Sequence, residues 1–322
     1  MEAIKLKKIA QPTLALLPNV RGRYSFATPL ASLTWFQVGG PADVLYKPED
    51  TADLQHFLAN RQDLPCFVLG AGSNLLVRDG GYNGTVIKLG RGFAQMVIQN
   101  DELIAGAAAL DRTVAMFAMQ HSFSGVEFLV TIPGSVGGAV AMNAGCYGVE
   151  IKDVLNWVEI VDAHGKLHRL LPGELKLSYR KAVLPYGCVI VRASFKVHQA
   201  NAIDIQQNMQ RGLQLREDSQ PATGRTGGST FKNPANHNAG ELKAWELIDQ
   251  AKCRGLTIGA AQMSEKHCNF MLNTGGASAH DLECLGELVR QKVKAFSGHD
   301  LMWEIIRIGV TVVSQKSNYS NL

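Results

Sequence analysis

The sequence predicts an α+β fold of many short strands followed by a smaller α+β domain, on three observations. Before about residue 200 the apolar runs are short and are broken by turns such as Gly80-Gly81 and Asn83-Gly84. These runs do not alternate with helices as a regular βαβ array would. Near His198 the composition changes, and beyond it longer helical periodicities appear, the clearest over residues 279–296.

Taken in order, Lys5, Lys7, Lys8 and an apolar run over residues 9–17 only loosely resemble a signal peptide. Gln11 and Pro12 break the run and no small-residue cleavage site follows, so residues 1–21 read as a cytosolic extension. Gly39-Gly40-Pro41 then introduces a strand over residues 42–47, and Asp50 or Thr51 caps a helix to about Asn60. Strands are expected at residues 66–69, 85–89 and 103–105, and Asp111 is expected to cap a helix running to His121. Further strands follow at residues 158–161, 166–170 and 189–197. Residues 203–215 form an amphipathic helix, and a polar, glycine-bearing loop over residues 217–229 comes after it. A loop of that length inside a compact domain points to a use. A helix over residues 244–251, a strand over 269–272 and a final strand carrying Glu304 complete the C-terminal part. Its longest helix, over residues 279–296, has Ser278 as cap with Asp281 three places on, a capping box. Leu282, Leu285, Val289, Val293 and Phe296 make its buried stripe. The domains expected are residues 22–200 and 201–314, with a tail over 315–322.

Composition narrows the function classes. The chain has 322 residues, 46% of them hydrophobic and 19% charged, with a net charge of +4. The positive charge is not gathered into long basic runs, so nucleic acid is not implied. Six scattered cysteines with no CxxC pair read as small buried hydrophobes, and the nine histidines include no HExxH metal motif. No stretch is long and apolar enough to span a membrane.

Two loops carry the chemistry. Residues 132–148, IPGSVGGAVAMNAGCYG, hold five glycines and three alanines. So few bulky side chains mean that backbone approaches something closely. Pro133-Gly134-Ser135 reads as a turn leading into a short helix over residues 136–142, and amides at such a turn suit an anion. The second loop, Gly70-Ala71-Gly72-Ser73-Asn74-Leu75-Leu76, follows an apolar run. It is neither a Rossmann fingerprint, since Leu76 replaces the third glycine, nor a P-loop, since no Gly-Lys-Ser/Thr follows. Two such loops suggest a diphosphate ligand gripped from both sides.

Together, GAGSNLLVRDGGYNGTVIKL and EFLVTIPGSVGGAVAMNAGCYG resemble the flavin-binding half of the UDP-N-acetylenolpyruvoylglucosamine reductase (MurB) family. The likeness continues through Ser178-Tyr179-Arg180, the GSTFKNP block from Gly228 and Lys266-His267-Cys268-Asn269-Phe270, and ends at WEIIRIG from Trp303. It spans roughly residues 30 to 310. The resemblance implies the two-subdomain FAD-binding fold of the flavin oxidase and dehydrogenase superfamily with a smaller α+β substrate domain. It implies non-covalent FAD, NADPH as reductant and UDP-N-acetylglucosamine-enolpyruvate as substrate, in a cytoplasmic, monomeric enzyme of peptidoglycan precursor synthesis.

The family reaction turns an enolpyruvyl ether into a lactyl ether through an enolate, which needs donors at the carboxylate and an acid near the α-carbon. By resemblance Ser229 is that acid, Arg180 holds the substrate carboxylate through its planar fork, and Glu304 is a buried, protonated donor. Cofactor contacts are expected from Gly70, Ala71, Gly72, Ser73, Asn74 and Leu75 on one loop. Ile132, Pro133, Gly134, Ser135, Gly137, Gly138, Asn143, Ala144 and Gly145 supply the other. Substrate contacts are expected from Tyr179, Lys232, Asn233, Arg216 and Arg225, and His267 is read as a structural hydrogen-bonding group.

Three positions depart from the family pattern. Thr131 stands where glycine is usual, Ala182 where serine is usual, and Arg307 comes one place late. On a strand a one-residue shift reverses the face. The interval from Tyr179 to residue 203 leaves no room for the tyrosine-bearing insertion of some members, so the chain resembles the shorter type. Two other readings stand beside this one: an oxidase of the same superfamily, with Cys146 as a point of covalent flavin attachment, and an inactive binder of flavin or UDP-sugar.

Overall fold

The computed structural model describes residues 17–221, 224–234 and 242–312. Most of the predicted N-terminal extension and the whole tail over 315–322 lie outside the described residues. The chain divides into two compact units. One holds the described residues of Met1–Ala27, Val44–Ser73 and Gly84–Ala222, and the other those of Thr28–Asp43, Asn74–Asn83 and Thr223–Leu322.

The first unit has two main sheets. One runs in the order Arg23–Pro29, Pro41–Lys47, Tyr82–Ile87, Cys66–Val68, and its last two strands are parallel. The other is antiparallel throughout, in the order Leu167–Leu170, Leu155–Val161, Val189–Lys196, Glu102–Gly106, Met96–Gln99. Helix α1 (Thr51–Asn60) starts as predicted, with the Asp50 carboxylate accepting the Asp53 N–H at 2.9 Å. Helix α2 (Asp111–Gln120) does not: Leu110 occupies the cap position without a side-chain bond, and Asp111 is the first helical residue, turned inward and fully buried. The reason is tertiary. Asp111 N–H donates to Gly134 O and Val136 N–H to Ala109 O, so this segment pairs with the turn ahead of α3 (Val136–Ala141). Helices α4 (Ile151–Val154) and α5 (Ala202–Ser219) follow, the latter capped by the Asn201 side chain. Ile205 and Met209 of α5 join the core built on Leu103, Val114, Leu129, Val140, Ile160 and Phe195.

The second unit is built around α6 (Ala244–Gln250) and α7 (Ala279–Ser297). Thr257–Ile258, Ala261–Met263 and Met271–Asn273 form an antiparallel sheet, and Leu75–Val77 pairs in parallel with Ile306–Ile308. The capping box of α7 is present, with Ser278 Oγ accepting the Asp281 N–H at 3.0 Å and Asp281 accepting the Ser278 N–H at 2.9 Å. Leu282, Leu285, Val289 and Val293 are fully buried, as periodicity required. Phe296 is not; it lies in the last turn, past the core, and is 59% exposed. Two expected domain boundaries differ in extent. Helix α5, placed by sequence in the C-terminal domain, groups with the first unit, and residues 28–43 and 74–83 group with the second. The pairing of residues 75–77 with 306–308 and the burial of Phe36 and Val38 among α7 residues explain the second regrouping. No helix among the described residues is long and apolar enough to cross a membrane.

Candidate active site

The two glycine loops meet within the first unit at Gly70. A Cβ placed there would stand 2.9 Å from Ser135 Oγ, so the approach admits glycine alone without a shift. Beyond that point the loops differ. Among the described residues, no hydrogen bond is made by the backbone N–H groups of Ala71, Gly72 or Ser73. At the start of α3, by contrast, the Val136 and Gly137 amides donate to Ala109 O and Ala107 O, at 3.0 and 2.9 Å. The helix-start anion site expected there is therefore partly engaged by protein, and the row of open donors lies on the first loop.

The second loop is held from behind. Asn143 is completely buried. Its Nδ2 donates to Glu150 Oε2 (2.9 Å) and Ser178 O (3.0 Å), and its Oδ1 accepts the Lys152 N–H (2.9 Å). Its side chain is thus committed to fixing the loop, although sequence marked it as a cofactor contact. The bond to Ser178 carries the loop to a tight turn. Ser178 and Lys181 exchange both backbone hydrogen bonds, leaving Tyr179 and Arg180 at its tip, with Arg180 at φ 53°. The Arg180 guanidinium donates to Gly145 O at 3.0 Å and lies 5.0 Å from the Tyr179 ring centre. Arg180 is thereby brought to the glycine loop.

Arg216 comes from α5, not from a loop. Its guanidinium donates to Thr131 O, and burial lowers its pKa, with Tyr147 and Cys146 partly opposing that shift. Thr131 explains how a side chain is tolerated where the family has glycine. Its hydroxyl bonds Phe128 O (2.8 Å) and contacts Cys146 Sγ (2.9 Å), and its methyl group faces Gly212 of α5.

In the second unit, residues 229–232 run between two other segments, with a bend at Thr230. Ser229 bridges Phe270 and Phe231 bridges Trp303. Buried Asn269 fixes this segment through Phe231, donating to its carbonyl (2.9 Å) and accepting its N–H (3.0 Å). Glu304 N–H donates to Thr230 O at 2.8 Å, and Lys232 N–H to Met302 O at 2.8 Å. These bonds lay the backbone of residues 302–304 alongside that of residues 229–232. Glu304 departs from expectation in two ways: it precedes the strand Ile306–Ile308 instead of lying on it, and it is half-buried. Its carbonyl accepts a bond from Asn74 Nδ2 at 3.1 Å, and Asn74 O accepts the Ile306 N–H. Asn74, which groups with the second unit, is thus bonded on both sides of Ile305.

Other candidates have local tasks. Asn233 Oδ1 accepts the Ala244 N–H at the start of α6 (3.0 Å), and Arg225 is exposed, its carbonyl accepting the Asn273 N–H. His267 sits against Phe270, with ring centres 4.8 Å apart, accepts the Asn269 N–H, and has its pKa lowered by burial. That is the structural role read from sequence.

Comparison with known proteins fits this arrangement. Residues 42–171 match the FAD binding domain family, and residues 220–308 match the C-terminal domain of UDP-N-acetylenolpyruvoylglucosamine reductase. Over 297 residues, 92% of this chain and 94% of the other, the sequence is 52% identical to the UDP-N-acetylenolpyruvoylglucosamine reductase of Acidiphilium cryptum. The chain belongs to the UDP-N-acetylenolpyruvoylglucosamine reductase family. The Gluconobacter oxydans member is 54% identical over 90% of this chain and 94% of its own. The crystal structure of the Thermus caldophilus reductase (MurB) superposes with a TM-score of 0.77 at 33% identity, covering 90% of this chain and 99% of that one.

Membership in the reductase family makes FAD the group to test against these residues. They fit: unengaged amides at 71–73 offer donors to a diphosphate, and glycine at position 70 leaves only the Ser135 hydroxyl between the loops there. Arg307, one place late for the family, stacks 4.2 Å over Trp303 and pairs with Glu283 and Glu287, each at 3.0 Å. It braces α7. Ala182 joins the network through its backbone, donating to Ala141 O. Sequence reasoning missed the bracing role of Asn269, although it quoted the block containing it. The signal was an asparagine amid apolar neighbours, a residue that burial allows only with partners.

Proposed function

We propose that Ser229, Arg180 and Glu304 carry the chemistry of an NADPH-dependent reduction of UDP-N-acetylglucosamine-enolpyruvate to UDP-N-acetylmuramate. Bound FAD would take the reducing equivalent from NADPH and deliver it to the enolpyruvyl group. The protein's own part is to hold the substrate carboxylate and to place a proton. Arg180 presents a two-pronged cation suited to a carboxylate, and the Gly145 carbonyl orients it. The Ser229 hydroxyl gives its proton to the α-carbon, where placement counts for more than acidity. Glu304 donates to the carboxylate that gathers charge as the enolate forms. Lys232 and Tyr179 line the substrate, while Arg216 and Asn143 act by holding the loops. The glycine loops over residues 70–75 and 132–145 take the cofactor. We read the chain as a monomer of the shorter type, working in the cytoplasm without nucleic acid or membrane, with a flavin domain and a substrate domain.

The observation that carries this reading is the joining of Ser229 and Glu304 through Thr230, with Asn74 of the glycine loop bonded to Glu304. The test is turnover by the purified protein. Without oxygen, NADPH beyond the one equivalent that reduces the flavin should be consumed only when the enolpyruvyl sugar is present, and the sugar should gain the mass of two hydrogens. Consumption without that mass gain would overturn the substrate assignment.

A further inference from the structure

Lys88 is a half-buried lysine next to the strand Tyr82–Ile87, and its ammonium donates to Gly70 O. Burial, and after it the neighbouring charge of Lys47, lowers its pKa. No carboxylate among the described residues pairs with it. A lysine kept from water without a counter-charge is costly unless something nearby uses the charge. What it touches is the peptide that opens the first glycine loop.

In a trans peptide the carbonyl of one residue and the N–H of the next point in opposite directions. Fixing Gly70 O on Lys88 therefore turns the Ala71 N–H away from the lysine, and that N–H starts the row of amides, Ala71 to Ser73, that no described group engages. A carbonyl polarised by a cation also makes its own peptide N–H a stronger donor. The same residue also lies close to the second loop, where a Cβ at position 70 would stand 2.9 Å from Ser135 Oγ.

We propose that Lys88 is a positioning residue for the cofactor's diphosphate: through the Gly70–Ala71 peptide it aims and strengthens the amide donors of the first glycine loop. This rests on the FAD reading above. Lys88 acts through the peptide and does not itself touch the phosphates.

The test uses the full chain stripped of FAD and titrated with FAD, following the quench of flavin fluorescence. Lys88→Met should bind FAD about tenfold more weakly, the loss expected when a charge-assisted bond is removed. Lys88→Arg, which keeps the cation and donors, should stay within about threefold of the parent. Phosphorus NMR of bound FAD should show the diphosphate resonances displaced in Lys88→Met, a change that looser packing alone would not give. Affinity within about twofold of the parent with unmoved resonances would overturn the inference, and so would Lys88→Arg binding as weakly as Lys88→Met. A parent protein that takes up no FAD would instead overturn the cofactor reading, and this inference with it.

Discussion

The loop over residues 131–148 and the bridged segment over residues 229–232 are each pinned by one buried asparagine, yet the two asparagines work differently. Asn143 ties its own loop to Lys152 and Glu150 nearby and reaches Ser178 at 3.0 Å. Asn269 grips both backbone groups of Phe231, 38 positions earlier, and nothing adjacent to either residue announces the pairing. One region is built by small residues next to each other in sequence. The other is built by hydrogen bonds between distant segments, with the side chains proposed to react riding on them. Cofactor binding and proton delivery should therefore fail separately.

The widest separation is expected from Ser229→Ala. Reduction of the enolpyruvyl sugar should fall by roughly 10²–10⁴-fold, the usual weight of a positioned acid. NADPH should still bleach the flavin at the parent rate in stopped flow, and loss of both steps would erase the distinction. Next comes the asparagine pair. Asn269→Ala leaves buried backbone groups of Phe231 unpaired and should cost about 2–4 kcal/mol in urea unfolding. Its turnover should drop with FAD affinity little changed. Asn143→Ala should reverse that pattern, weakening FAD binding in a fluorescence titration before it touches the rate of FAD-loaded protein. Equal effects of both changes on FAD binding would contradict the division.

Arg180→Lys keeps charge but not the fork, so KM for the sugar should rise about tenfold with smaller change in kcat. The smallest effect concerns Asp111. It is fully buried, neither carboxylate oxygen has a hydrogen-bond partner among the described residues, and burial raises its pKa well above the usual carboxylate range. The folded state therefore holds this proton more tightly than the unfolded chain. Stability from this group is complete below the unfolded carboxylate range and is lost as pH rises towards the folded value. Asp111→Asn, which cannot ionise, should gain on the parent as pH rises and lose that advantage in acid. Urea midpoints at several pH values would measure it, and a difference independent of pH would mean that Asp111 is already paired.

What could be read from sequence follows the same divide. Glycine and alanine in residues 70–75 and 132–145 marked the loops because a close backbone approach needs small residues wherever it occurs. Ser278, Asp281 and the Leu282–Val293 stripe marked α7 because capping and periodicity are local. The cap expected at Asp111 was overruled by pairing of residues 109–111 with Gly134 and Val136, and the amides expected at α3 were engaged by the same pairing. Glu304 was located by its motif, but its place before the strand depends on Thr230 and Asn74, both far away in the chain. Helix α5 carries the same amphipathic pattern whichever core it packs on, so sequence could not assign it to the first unit.

The most direct test of the account is an anaerobic titration of the purified protein, following the visible band of its flavin. NADPH should bleach the band, and the enolpyruvyl sugar added afterwards should restore it without oxygen, with UDP-N-acetylmuramate recovered in equal amount. A band that bleaches but returns only on admitting air would contradict the reductase account and favour an oxidase.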